Sequence, residues 1–253
     1  VSDGEISVSV AIVVSGMYTG QDYIDLLRER IPHDDLYTAT YTGIKMPFEP
    51  DFRMDEPVNT YHPLFDTNPY PDGEARGRRY ILSKPLSKIP KRLKKLKEPS
   101  AHWHKQILLH AWACDQIEAD VIVRARYETI VSSQIDWQEW IDKCHEEEMT
   151  YGFNTRSEGA EYNTYHHELQ KCFKGRDSFY INDALIIHPK EALDWGYVNQ
   201  LYKDKKLRGA EEGWYQVLSE SQGHYHLSYH GGAYSAKDWE LVKDAEGLHY
   251  ISD

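Results

Sequence analysis

The sequence predicts one α/β domain built on a mixed, mainly parallel central sheet flanked by helices. Three observations lead there. Residues 6–14, ISVSVAIVV, form a near-continuous β-branched run, as in a strand buried on both faces. A second run, DVIVRARYETIV at 120–131, has the same character and follows a stretch of helical spacing. Strand and helix signals alternate, opening with β-turn-α-β, and no Gly- or Ser-rich linker divides the chain.

Each element has its own justification. SGMYTG turns the chain out of the first strand, and QDYIDLLRERI places Tyr23, Leu26, Leu27 and Ile31 at helical spacing. LYTATYT, at 36–42, reads as the second strand. Residues 43–75 are rich in Pro, Asp, Asn and Tyr without a sustained period and read as irregular. The basic stretch that follows is broken by Pro85, Pro90 and Pro99, so 43–99 is expected to be a long insertion. A helix is predicted from Pro99-Ser100 to about Glu118, its apolar stripe formed by Trp103, Ile107, Leu108, Ala111, Cys114 and Ile117. Residues 120–131 make a strand, and Asp136 caps a helix over 137–148 with Trp137, Trp140, Ile141 and Cys144 on one face. Residues 150–177 read as loop. FYINDALIIH, at 179–188, reads as a strand, and Pro189 opens a helix to about Asp204. A short helix is expected over Ala210 to Glu220, and two edge strands in HYHLSYHGG and GLHYISD.

Composition excludes several classes. With 253 residues, 40% of them hydrophobic and 28% charged, the chain is globular and long enough to need neither disulfides nor a structural metal. No apolar run approaches the ~20 residues of a membrane span, so no stable membrane anchor is expected. VSDGEISVSVAIVV lacks a basic n-region and reads as a first strand, not a signal peptide. The three cysteines show no CxxC spacing, which predicts reduced thiols and a cytoplasmic setting. A formal net charge of −12 argues against nucleic acid as a partner. The charge is uneven, because ten Lys or Arg and no acid lie between Arg76 and Lys97, leaving −22 on the rest.

The residues with chemical potential are few. Val14-Ser15-Gly16 ends the first strand, and ligands in open α/β sheets sit beyond the carboxyl ends of strands. Neither GxGxxG nor GxxxxGK[ST] is present, which disfavours a dinucleotide fold and a P-loop. In an extended strand, Arg124, Arg126 and Glu128 share one face, while Val121, Val123, Ala125 and Tyr127 share the other. Two guanidinium groups suit a diphosphate, and a carboxylate suits a divalent cation bridging phosphates. An Arg-Glu-Arg network anchoring the strand end is the structural alternative. Glu211 and Glu212 suit a general base or merely the start of a helix. Asp183, after Asn182, is a candidate for orienting a sugar, or a turn residue. His224 and His226 share a strand face with His230 four residues beyond the latter, as metal ligands do, although surface histidines show the same pattern. Tyr18, Tyr61 and Tyr127 are placed to meet a ligand.

At this point the sequence shows a resemblance. HWHKQILLHAWACDQIEADVIVRARYETIV resembles a block of small GT-A-type glycosyltransferases. These occur in large DNA viruses and phages and among lipopolysaccharide-biosynthesis proteins of the WavE type. The block runs as a helix, a short acidic connection, and a strand ending in R-x-R-[YFP]-[DE]. ISVSVAIVVSGMY is similar to the family's nucleotide-binding first strand, FYINDALIIHPKEALD to a later strand-helix segment, and Gly209-Ala210-Glu211-Glu212 to its G-x-E-[DE] motif.

The resemblance spans roughly residues 5–220 and implies a GT-A-like, Rossmann-like fold. It implies transfer of a sugar from a nucleotide-sugar donor to a glycan acceptor, in the host cytoplasm if the source is viral. Ser15, Gly16, Tyr18, Arg124, Arg126 and Asp183 would meet the donor, and Glu211 or Glu212 would act as base in an inverting displacement. Glu128, His226 and His230 would hold Mn²⁺ or Mg²⁺. The family's Asp-x-Asp is missing from the strand end, so Glu128 takes that role alone or the arginines replace the metal. Two other classes fit parts of the sequence: a hydrolase or oxygenase using a metal on His224 and His226, and a non-catalytic carbohydrate-binding or viral interaction module.

Overall fold

The computed structural model describes residues 8–16, 18, 20, 22–55, 57, 102–153, 184–204, 206–207, 213–214, 216–220 and 233–235. Along these segments the chain forms β1 (Val10–Ser15), α1 (Ile24–Arg30), β2 (Asp35–Tyr41), β3 (Phe52–Met54) and α2 (His102–Cys114). It continues with β4 (Val121–Ala125), β5 (Thr129–Val131), α3 (Trp137–Glu147), β6 (Tyr151–Phe153) and β7 (Leu185–Pro189). A 3-10 turn (Lys190–Ala192), α4 (Trp195–Lys203), a π turn (Gln216–Glu220) and β8 (Ala233–Ser235) complete the order.

Six strands make one sheet in the order β3-β2-β1-β4-β7-β6. The β1–β2, β1–β4 and β2–β3 pairs are parallel, whereas β7 runs antiparallel to both β4 and β6. The mixed, mostly parallel α/β sheet read from the sequence is therefore present, in a Rossmann-like arrangement. β1 and β4 are central because they are apolar on both faces, and every residue of both is buried.

Alternation then assigns the faces. Val10, Ile12 and Val14, with Val121, Val123 and Ala125, pack against Ile24 and Leu27 of α1 and Trp137, Ile141 and Cys144 of α3. Ala11, Val13 and Ile122 pack the other way, against Ile107, Leu108, Ala111 and Cys114 of α2 and Val198 of α4. Each fully buried aliphatic side chain contributes about 1.5–3 kcal/mol relative to exposure. Two carboxylates fasten the amino edge of β1: Asp120 accepts from the Ser9 amide at 2.8 Å and hydroxyl at 2.7 Å, and Asp34 from the Val10 amide at 2.8 Å.

Several expectations change. The strand expected over 120–131 is two strands, since the chain turns at Arg126–Thr129 and the Thr129 amide donates to the Arg126 carbonyl at 3.0 Å. Thr129–Val131 pairs instead with Ala233–Ser235 in a separate two-stranded sheet. Within the expected irregular stretch 43–75, Phe52–Met54 joins β2, tied by Asp51, whose carboxylate accepts from the Thr38 amide at 2.7 Å. Within the expected loop 150–177, Tyr151–Phe153 pairs with β7. Pro189 does not start a helix directly. A 3-10 turn intervenes and α4 begins after Asp194, whose side chain accepts the Tyr197 amide.

Asp136 caps α3 as expected, accepting from the Glu139 amide at 3.2 Å. Near the expected helix over Ala210 to Glu220, residues Gln216–Glu220 form a π turn. The edge strands expected in HYHLSYHGG and GLHYISD, and most of 43–99, lie outside the described residues. Among the described residues, no helix is long and apolar enough to cross a membrane.

Candidate functional site

The sheet order creates one privileged location. From β1 the chain moves outward through β2 and β3, then returns to place β4 on the other side of β1. The position beyond the carboxyl ends of β1 and β4 is the topological switch point, where open α/β sheets receive ligands. Gly16 leaves β1 there and the turn at Arg126–Thr129 leaves β4 there.

Gly16 has φ +140°, a conformation L side chains rarely adopt, and its carbonyl accepts from Thr40 Oγ1 at 3.3 Å. Tyr18, half-buried, lies edge-on to Tyr127 with ring centroids 5.8 Å apart and to Phe48 at 6.4 Å. On the other lip, Arg126 and Glu128 form an ion pair at 3.1 Å, with side chains 19% and 21% exposed. Thr129 positions their turn. Its buried hydroxyl accepts from the Arg126 amide at 3.0 Å and donates to the Ala184 carbonyl, just before β7, at 2.8 Å.

Arg124 departs from the expected row. It is wholly buried on the α2 face, lies over the Trp214 ring at 4.8 Å, and donates to Gln106 Oε1 at 3.2 Å. Arg126 and Glu128 belong to the turn, so the three charges do not share a strand face. Ser15, the last residue of β1, is buried, its hydroxyl 3.3 Å from His110 Nδ1. Tyr127, read as ligand-facing, is core: its hydroxyl donates to the Ala39 carbonyl at 3.0 Å and burial pushes the phenol pKa up. Asp183, Glu211, Glu212, His226, His230, His224 and Tyr61 lie outside the described residues.

Beneath the switch point lies a constellation the sequence reading did not single out. His110 and Cys114 project from α2, and His188 from β7. All three are buried, with candidate ligand atoms within 4.8 Å of one another. His110 Nε2 is 3.2 Å from His188 Nε2 and 3.4 Å from Cys114 Sγ. Hydrogen-bond chemistry fixes the tautomers. The Pro189 carbonyl only accepts, so His188 Nδ1 donates to it at 2.7 Å, leaving Nε2 as acceptor. His110 Nε2 then donates to His188, and His110 Nδ1 accepts from Ser15 Oγ.

Burial is the main cause keeping both imidazoles neutral. It lowers the His188 pKa to about 4 and takes His110 well below its ordinary value, with Arg124 adding to both shifts. Burial also pushes the Cys114 thiol up to about 12. Cys114 and Cys144 are buried free thiols.

Among the described residues, Arg124 and Lys105 are buried and no carboxylate is. The signal that could have exposed the cluster was the His110–Cys114 spacing, i to i+4 on one helix face. His188 gave none, because its approach depends on β7 lying antiparallel beside β4.

Comparison with known proteins finds no matching family model and no matching curated protein.

Proposed function

We propose that the chain is a glycosyltransferase of GT-A-like fold, moving a sugar from a nucleotide-sugar donor to a glycan acceptor hydroxyl. The observation that carries this reading is the meeting of Gly16 with the Arg126–Glu128 turn across the β1/β4 switch point. A glycine with positive φ permits close backbone approach to a ligand, and a guanidinium on the opposite lip favours a diphosphate. Tyr18 offers a half-buried aromatic edge beside them.

In this mechanism the bond between the anomeric carbon and the diphosphate oxygen breaks. The acceptor oxygen bonds to that carbon from the opposite face. Arg126 stabilises charge developing on the leaving diphosphate. Glu211 or Glu212 takes the proton from the acceptor hydroxyl.

Glu128, whose carboxylate pairs with Arg126 at 3.1 Å, would hold a Mn²⁺ or Mg²⁺ together with His226 and His230, which lie outside the described residues. No step here is routed through such an ion.

The test is a thermal-shift panel of UDP-, GDP-, CMP- and dTDP-sugars, each with and without Mn²⁺, on the wild type and Arg126→Ala. A donor at 100 times its Kd stabilises by about 2.7 kcal/mol. The expected result is a rise in Tm with one nucleotide class that Arg126→Ala abolishes. The absence of any shift across the panel would count decisively against the transferase.

A further inference from the structure

We infer that His110, Cys114 and His188 form a Zn²⁺ site that clips helix α2 to strand β7. The three donors are Nε2, Sγ and Nε2, converging in the core from two elements. Zn–N bonds of about 2.0–2.1 Å and a Zn–S bond of about 2.3 Å set tetrahedral edges of about 3.3 Å for N···N and about 3.6 Å for N···S. The chain holds the corresponding atoms at 3.2 Å and 3.4 Å, so two edges of the tetrahedron are already close to length.

The outer contacts point the same way. Metal-bound imidazoles use one nitrogen on the metal and anchor the other on a polar partner. Here His110 Nδ1 is held by the Ser15 hydroxyl at 3.3 Å and His188 Nδ1 by the Pro189 carbonyl at 2.7 Å. Both outer partners orient Nε2 inward. An N₂S donor set suits zinc and is poorly matched to Mg²⁺ or Mn²⁺, which prefer oxygen.

Three protein ligands leave one coordination position for a small donor. Binding forms the Zn–S bond as the thiol S–H bond breaks and the thiol proton leaves to solvent, while the His110 proton moves from Nε2 to Nδ1, which then donates to Ser15 Oγ and frees the Nε2 lone pair for the metal, with no change of oxidation state. Arg124 opposes a dication electrostatically, and the new thiolate offsets that repulsion. The clip joins α2 to β7 directly below Ser15, one residue from Gly16.

The experiment strips the full chain with a chelator and titrates it with Co²⁺, then with Zn²⁺. The wild type should take up one Co²⁺ with a near-ultraviolet sulfur-to-cobalt charge-transfer band that one equivalent of Zn²⁺ removes. Cys114→Ala should abolish the band, whereas Cys144→Ala should keep it. Ser15→Ala should retain the band and weaken Zn²⁺ by the roughly 10–100-fold typical of losing an outer partner. His188→Gln should weaken it more.

Far-ultraviolet circular dichroism checks that each variant folds. The wild-type titration needs no variant: a chain that binds no Co²⁺ with sulfur character overturns the site. So does a band that survives in Cys114→Ala.

Discussion

The turn that presents Arg126 and Glu128 rests on one hydroxyl, and removing it tests how the candidate site is built. Thr129→Val replaces Oγ1 with a methyl of nearly the same size, so no cavity opens. Two hydrogen bonds are lost, from the Arg126 amide at 3.0 Å and to the Ala184 carbonyl at 2.8 Å. A typical bond contributes about 1 kcal/mol, and a buried group left unsatisfied costs about 1–3 kcal/mol. With the Arg126 amide and the Ala184 carbonyl both left unsatisfied, the combined destabilisation is about 2–6 kcal/mol. At about 2–4 °C per kcal/mol for a chain of this size, Tm should fall by about 4–24 °C.

Thr129→Ser keeps the hydroxyl and loses one methyl, at about 1 kcal/mol. Urea unfolding of the wild type and both variants measures these differences. Calorimetric titration of the donor found by thermal shift, at a temperature where all three are folded, should show weaker binding only in Thr129→Val. A Thr129→Val variant within 0.5 kcal/mol of wild type would refute the latch. Equal destabilisation by Ser and Val would do the same.

Three further outcomes follow from single residues. Gly16→Ala meets no atom within 4 Å, so its cost comes from φ +140° and should be about 1–3 kcal/mol in urea unfolding; an unchanged midpoint would contradict the strain argument. Glu148, at φ 51°, ends α3 in the left-handed region, so Glu148→Gly should stabilise by about 0.5–1 kcal/mol, and a lower Tm would count against this reading. Asp120 has its pKa lowered by accepting from the Ser9 amide and hydroxyl, so its stabilising effect is present above the unfolded carboxylate value of ~3.9. The unfolded chain takes up the proton first as pH falls, so that effect disappears through the folded pKa. Asp120→Asn should therefore differ most from wild type above pH ~4 and converge with it in stronger acid, whereas a pH-independent gap would exclude the linkage.

The sequence by itself determined the layers. An apolar run with β-branched residues on both faces made β1 central, and helical spacing read over 21–31, 99–118 and 137–148 named the elements packed against the sheet. Asp136 was legible as a cap because capping is a local bond between a side chain and an amide three residues on. The short strands Phe52–Met54 and Tyr151–Phe153 were not legible, since three residues give too little alternation and only pairing with β2 or β7 makes them strands.

The candidate site divided along the same line. Gly16 could be placed from the end of a strong strand, whereas Arg126, expected within a strand over 120–131, lies in the turn after β4, and the path of Arg124 under the sheet depended on Trp214 and Gln106. His110 and Cys114 shared a visible helical face. His188, 78 residues further on, reached them only because β7 lies antiparallel beside β4. Local periodicity records which side of an element is buried. What it is buried against is decided by the connections that set strand order, and those act only once the whole sheet has formed.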